Sequence, residues 1–359
     1  KIENIKNWLN HPRLRLIHHD ISQELTIEAD QIYHLASPTS NIYIETHPIE
    51  TIKIISSGML NMLGLTHRLQ AKLLFASSSK IYGSPSPKLK NHHTYNFLFH
   101  SSSSRSLSSQ SLHSLLRNSN NQSELSSSSS SPSVYTVNEH YLGYLNPACP
   151  YSSYSQATRS AETLCAAYQR RHQTPVVIAR LFDTFGPRMP FWSQYSQYKF
   201  HKNSDYNENI LDNDNTFIGK CIRKALLHDE IIISGDGLQV RSFTYVDDIV
   251  RGMILLMNSD NITQPINFGS STTVTLIDLA NYIKLVTLSN STIRTQKKSK
   301  SSQHISSDLL IPDIQMAKKL LGWSPIISFK SGLYLTIKYI TQVRYSSSSS
   351  YYYYYYCLV

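Results

Sequence analysis

The chain is poor in cysteine, in acidic residues and in long apolar runs. It has four cysteines in 359 residues. Cys149, Cys165, Cys221 and Cys357 fall into no C-x2-C or similar spacing. That excludes a disulfide framework and a zinc module, and no metal site is expected. No run of 18 apolar residues occurs, so no membrane span is expected within the chain. No charged-then-apolar leader opens it; it begins at Lys1, and we read it as lacking its true start. Twenty-four acidic against 34 basic residues leave a net charge of +10. The densest basic run, Lys297, Lys298 and Lys300, reads as a solvated face. Without an aromatic-basic repeat, zinc finger or helix-turn-helix signature, nucleic acid is not an expected partner. A small anionic ligand is compatible with the charge.

What is present is enough for a substantial core. Forty per cent of residues are hydrophobic, and the length corresponds to one large domain or two, at about 100–200 residues each. Residues 101–132 are dominated by serine without hydrophobic period and are expected to stay outside the packed fold. The same holds for the serine and tyrosine runs of the tail, 345–359. Residues 190–216 read as a long polar and aromatic loop. The remainder alternates: strands are expected at 15–17, 31–35, 73–76 and 176–181, and helices at 49–70 and 154–170. Such β-α-β alternation predicts a doubly wound parallel sheet with helices on both faces, a Rossmann-like α/β fold. Ligands bind such sheets beyond the carboxyl ends of the strands. Ala36, Ser37, Ser77, Ser78, Ser79, Phe182 and Asp183 fall there. The first βα unit, where a glycine-rich phosphate loop would sit, is read as missing.

Eight words, in order, resemble one family. They are HHDI (18–21), DQIYHLASP (30–38), GMLNMLGLTHR (58–68), LLFASSSKIYG (73–83), YSQATRSAET (154–163), ARLFDTFGPRM (179–189), GDGLQVRSFTYVDD (235–248) and PDIQMAKKLLGWSP (312–325). Together they resemble UDP-glucuronic acid decarboxylase (UDP-xylose synthase), an extended short-chain dehydrogenase/reductase. A relative of dTDP-glucose 4,6-dehydratase is the second choice. The resemblance implies a bound NAD and a UDP-glucuronate ligand. Hydride leaves C4 of the sugar, CO2 leaves from the β-keto acid, and returned hydride gives UDP-xylose. It implies an NAD-binding part at 1–187 and a mainly substrate-binding part at 188–344 that returns some segments to the sheet. A dimer is implied, and a Golgi-lumenal location with an anchor upstream of this chain, a cytoplasmic form being the alternative.

Carried over position by position, the resemblance places Asp20, Ile21, Leu35, Ser37, Ala76, Tyr154 and Thr184 at NAD. It places Leu25, Lys53, Asn61, Gly64, Arg68, Tyr168 and Arg241 along the UDP-sugar, with Arg241 on the diphosphate, which its planar fork suits. Read as residues alone, Ile21, Leu35 and Ala76 are core, Asp20 is a turn residue, and Arg68 and Arg241 are solvated surface.

Tyr154 takes the place of the catalytic tyrosine and Ser78 that of the hydroxyl beside the reacting C4 oxygen. The charged groups around them differ from the family. Thr158 stands where Tyr-x3-Lys requires lysine, one turn on and on the same helix face. Arg159 is turned about 100° away. Lys80 stands for a glutamate, Leu310 for an arginine, Asp183 for an asparagine and Ile55 for another asparagine. Tyr195-x3-Lys199 and Tyr334-x3-Lys338 match the tyrosine-lysine spacing by coincidence, since about two such pairs arise by chance in so tyrosine-rich a chain. The expectation is a decarboxylase relative with impaired or absent turnover. A non-catalytic partner of an intact homologue, in a homodimer or heterodimer, is one alternative. A decayed or mis-spliced reading frame is another.

Overall fold

The computed structural model describes residues 2–83, 135–149, 152–189, 216–296 and 310–346. The serine-rich stretch, the basic run at 297–300 and Cys357 lie outside them. So do the loop expected at 190–216, except its last residue, and the tail, except its first two residues. By compactness the chain divides into Lys1–Pro85 with Val134–Val359, and Ser86–Ser133; all described residues belong to the first unit.

A short 3-10 turn, Ile2–Trp8, precedes β1 (Gln31–His34), α1 (Asn41–Thr46), α2 (Pro48–Leu69), β2 (Lys72–Ser78), β3 (Tyr135–Val137), α3 (Ser153–His172), β4 (Val176–Leu181) and β5 (Thr184–Phe185). Then follow α4 (Phe217–Leu226), β6 (Ile231–Ser234), β7 (Val240–Ser242), β8 (Thr244–Tyr245), α5 (Val246–Met257), β9 (Ile266–Phe268) and β10 (Thr273–Thr275). The chain continues with α6 (Leu276–Val286), β11 (Ile293–Gln296), β12 (Leu310–Pro312), α7 (Gln315–Leu321) and α8 (Phe329–Ser346).

Strands β1, β2, β4 and β9 form one sheet in the order β1-β2-β4-β9, every pair parallel. Successive side chains of a strand face opposite ways, and here both faces are apolar, as a covered parallel sheet requires. Leu73, Phe75, Val176 and Ile178 pack against Ile55, Met59 and Leu63 of α2 and Ala157, Ala161 and Cys165 of α3. Leu74, Val177 and Ala179 point to the other face, against Ile249, Met253 and Leu256 of α5 and Ala317 of α7. The result is the expected doubly wound α/β sheet with helices on both sides. A separate core gathers α4, β6, α6 and α8 around Ile222, Ile233, Leu279 and Leu333.

The strand expected at 15–17 does not form; Leu14, Leu16 and Ile17 stay exposed. Three residues with no neighbouring strand among the described residues are too few to hold an extended ladder. Strand β4 has the predicted bounds, and α2 is displaced by one residue from 49–70.

Two of the sequence words meet behind the sheet. Asp248, buried on α5, accepts from the backbone N–H groups of Ile326 at 3.0 Å and Ile327 at 2.9 Å. Its carbonyl accepts the Trp323 indole N–H at 2.9 Å. Arg251 closes the cluster, 2.8 Å from the Asp248 carboxylate. This holds the turn that leads into α8.

Candidate functional site

The carboxyl ends of β2 and β4 open into a cleft of about 180 Å³ lined by Ser78, Lys80, Asp183, Thr184, Arg241 and Leu310, among others. Small-molecule pockets usually measure about 300–1,000 Å³, so this one suits a single ring rather than a whole nucleotide sugar. Ser78 ends β2 in extended backbone and caps the 3-10 turn Ser79–Tyr82, its Oγ accepting from the Lys80 N–H at 3.2 Å. Gly83 closes that turn at φ 60, and its Cα side faces the Tyr144 carbonyl at close approach. Only glycine combines that backbone with that closeness. Thr184 bonds back to the Phe182 carbonyl at 2.9 Å. Arg241 of β7 faces Asp183 at 3.9 Å. Leu310, buried on β12, forms the apolar wall with Ile81, Tyr82 and Phe182 behind it.

Tyr154 lies in the first turn of α3, half-buried against the α2–α3 core. The Lys80 ammonium stands over its ring, 5.3 Å from the centroid. The same ammonium donates to Asn41 Oδ1 at 3.2 Å. Lys80 thus joins Tyr154 to the cleft that Ser78 lines. Thr158 is 2% exposed and its Oγ1 donates to the Tyr154 carbonyl at 2.8 Å, so its hydroxyl is committed to the helix. Arg159 turns to the other side, as the 100° step implies. Its Nε donates to the Ile81 carbonyl at 2.8 Å and its Nη2 to the Leu142 carbonyl at 2.6 Å.

The remaining carried-over residues fall into two groups. Leu35 projects from the end of β1, 54% exposed, with Ser37 half-buried two residues on, and Ala76 is half-buried on β2. The second group lies along α2. Asn61 Nδ2 donates to the Ile21 carbonyl at 3.0 Å, and Arg68 Nη2 donates to the Leu25 carbonyl at 3.0 Å. Together they fasten residues 21–25 onto the helix. Gly64 has open space where a Cβ would stand. Asp20 begins that segment as an exposed turn, accepting the Ser22 N–H at 2.9 Å. That bond, followed by the one from the Ser22 hydroxyl, holds its carboxyl below the usual range. Lys53 is exposed one turn from the start of α2. Tyr168 packs on His172 with ring centroids 5.2 Å apart. It is fourteen residues from Tyr154, about 21 Å along the helix, and so stands at the opposite end from the cleft, as does Arg68.

A second polar centre was not anticipated from the sequence. Arg180 of β4 donates to Glu162 of α3 through Nε at 3.1 Å and Nη2 at 2.7 Å. Its Nη1 donates to the Tyr82 hydroxyl and to the Glu139 carbonyl, both at 2.9 Å. Ser77 Oγ donates to Glu162 at 2.5 Å, and Tyr82 passes its own proton to Asn267 Oδ1 at 2.6 Å. Burial pushes the Tyr82 phenol up to about 12 and raises the Glu139 carboxyl. Burial likewise raises the Cys165 thiol and takes that of Cys221 up to about 12, so neither serves as a nucleophile. His34, buried at the end of β1 and stacked on Phe75 at 5.7 Å, is pushed down to about 4 by desolvation.

A parallel sheet covered on both faces, with its cleft at the strand ends, defines a Rossmann-like nucleotide-cofactor class. The family model "NAD dependent epimerase/dehydratase family" matches residues 13–133 and 125–269, and the chain belongs to that family. Within it the chain belongs with the UDP-glucuronic acid decarboxylases, a family of carboxy-lyases. It is 33% identical to UDP-glucuronic acid decarboxylase 1 of Danio rerio over 94% of this chain and 64% of that protein. It is 32% identical to UDP-glucuronic acid decarboxylase 6 of Arabidopsis thaliana over 93% of this chain and 76% of that one. The chain thus spans just under two thirds of its vertebrate relatives. Among solved structures, dTDP-glucose 4,6-dehydratase of Streptomyces venezuelae, with NAD bound, superposes with a TM-score of 0.66 at 17% identity, over 96% of this chain and 85% of that one. UDP-glucuronic acid 4-epimerase of Bacillus cereus, in complex with NAD, gives 0.59 at 21% identity, over 89% and 75%. These likenesses concern the fold.

Proposed function

We propose that the chain binds UDP-glucuronate across the carboxyl ends of β2 and β4, and that its conversion to UDP-xylose is impaired in the chain as written. The observation that carries the ligand reading is the cleft itself. Five positions that the resemblance assigns to chemistry, Ser78, Lys80, Thr184, Arg241 and Leu310, line one space although they come from separate strands and turns. The relatives at 31–33% identity are all UDP-glucuronic acid decarboxylases by name, which supports the substrate class.

NAD fits in part. The exposed Leu35 with Ser37 beside it offers an apolar and hydroxyl surface for an adenosine, and Ala76 and Thr184 stand at the neighbouring strand ends. NAD, when bound, supplies the hydride acceptor at C4 of the sugar. No glycine occurs before Gly58, so residues 1–57 provide no glycine-rich cradle for its pyrophosphate. On α3, the Thr158 hydroxyl is already bonded and buried, leaving no side chain there to hold a ribose.

Impairment follows from the same residues. Ser78 remains to bond the reacting oxygen and Tyr154 to exchange its proton, but the helix-borne cation is gone. Loss of one such group costs about 10²–10⁴ in rate, and groups acting as a unit do not add. Calorimetry with UDP and CO2 release from UDP-glucuronate in the presence of NAD test the two halves separately. UDP is expected to bind below millimolar, with CO2 release at least about 100-fold slower than the roughly 1–10³ s⁻¹ of ordinary enzymes. No UDP binding at millimolar ligand removes the ligand reading, and an ordinary rate removes the impairment.

One observation favours a second reading, a non-catalytic partner of a second copy or of an intact homologue. Ile49, Ile52 and Leu60 are exposed on one stripe of α2, beside the helix that bears Tyr154. Co-purification with an active decarboxylase supports this reading, and a strictly monomeric chain removes it.

A further inference from the structure

We infer that Lys80 receives the acidic group of the bound sugar nucleotide and makes the cleft selective for a nucleoside-diphosphate hexuronate over the neutral hexose. This rests on the ligand reading above and specifies it. Lys80 lines the cleft. Among the described residues its ammonium touches only neutral groups: it donates to Asn41 Oδ1 at 3.2 Å and lies 5.3 Å from the centre of the Tyr154 ring. Among the described residues no carboxylate stands within ion-pair distance of it. The other cation of the cleft, Arg241, faces Asp183 at 3.9 Å. The cleft therefore offers one uncompensated positive charge, at its Lys80 end.

An ammonium has three donors. One is used by Asn41, and the Tyr154 ring face below adds attraction without taking a proton, so donors remain for a ligand oxygen. The two contacts also hold the long side chain in place, which lowers the ordering cost of binding. The space, about 180 Å³, takes one ring, with Arg241 available to the diphosphate on the one side and Lys80 to a carboxylate on the other. A lysine is a point charge that pairs with either anion, and with Arg241 placed for the diphosphate the carboxylate is the group left for Lys80. The pairing stabilises the intact carboxylate. CO2 leaves uncharged, so the same contact favours binding and opposes decarboxylation.

The test is calorimetric titration of the whole chain and its variants with UDP, UDP-glucose and UDP-glucuronate. A charge-assisted hydrogen bond of this kind corresponds to about tenfold or more in affinity. The unchanged chain is expected to bind UDP-glucuronate at least about tenfold more tightly than UDP-glucose. Lys80→Met is expected to erase that preference. Lys80→Glu is expected to reverse the preference, and Lys80→Arg to keep it. Lys80 is exposed, so these variants fold, as circular dichroism checks. If UDP binds but the preference is absent, or survives in Lys80→Met, the inference is overturned and the ligand reading stands. If none of the three ligands binds at millimolar concentration, both fall.

Discussion

Strands β2 and β4 carry two polar regions a few residues apart, and the two are built differently. Below the strand ends, Ser77, Glu162, Arg180, Tyr82 and Asn267 form a closed network in which donors meet acceptors. At the strand ends, Ser78, Lys80, Arg241 and Thr184 surround open space. The first region is largely buried, and its Arg180 and Glu162 charges pair with each other. The second presents charge outward, through the Lys80 ammonium. The contrast teaches that the residues holding this sheet to α3 and those that would meet a ligand answer to separate demands. The fold can be complete while the chemistry at its edge is altered.

The comparison predicts that mutation of the first region shows in stability and mutation of the second in binding. Arg180→Leu leaves Glu162 buried without its partner, a loss of about 3–5 kcal/mol in unfolding free energy. Urea denaturation measures it, and a loss under about 1 kcal/mol would break the contrast. Next in size is the pH dependence at His34. Its buried ring stays neutral down to about pH 4, while the unfolded chain takes up a proton near pH 6.5. Stability therefore falls as pH drops through the window between these values, by about 3 kcal/mol in all. Denaturation at pH 7 and pH 4.5 should show the fall in the parent chain and a much smaller one in His34→Phe. The smallest effect on the fold is expected at the cleft. Asp183→Asn removes a half-exposed ion pair worth under about 1 kcal/mol. It also removes a negative charge from the cleft, so UDP affinity should rise several-fold by calorimetry. A drop of several kcal/mol in stability there would place Asp183 with the buried network instead.

Much of the architecture was legible from the chain. The β-branched run of β4 and the helical repeat of α2 are periodic over enough residues to stand out. The covered sheet follows from strands whose apolar residues fall on both faces. Residues 15–17 misled because so short a run carries no information about whether a neighbouring strand exists. The polar network was not legible, because its members are separated by 18 to 185 positions and obey no period. Glu162 appeared only as one letter of a word, and Arg180 as one residue of a strand and of the word that overlaps it. Asn41, which holds Lys80 in place, lies on a six-residue helix, α1, that no repeat announced. The Lys80–Tyr154 contact was invisible for the same reason. The two positions were read separately, and only the turn after β2 shows that the ammonium stands beside the phenol.

The Asp248 cluster shows what a family signature is made of. Its carboxylate fastens the backbone N–H groups of Ile326 and Ile327, and its carbonyl takes the Trp323 indole. Two of the most recognisable words in the chain are thus mortar between α5 and the approach to α8. A chain can spell both without a fault and have spelled out nothing more than where its last helix docks. In scaffolds of this kind the surest letters for pedigree are a poor guide to livelihood, and whether substrate turns over is decided by the handful of side chains around the rim.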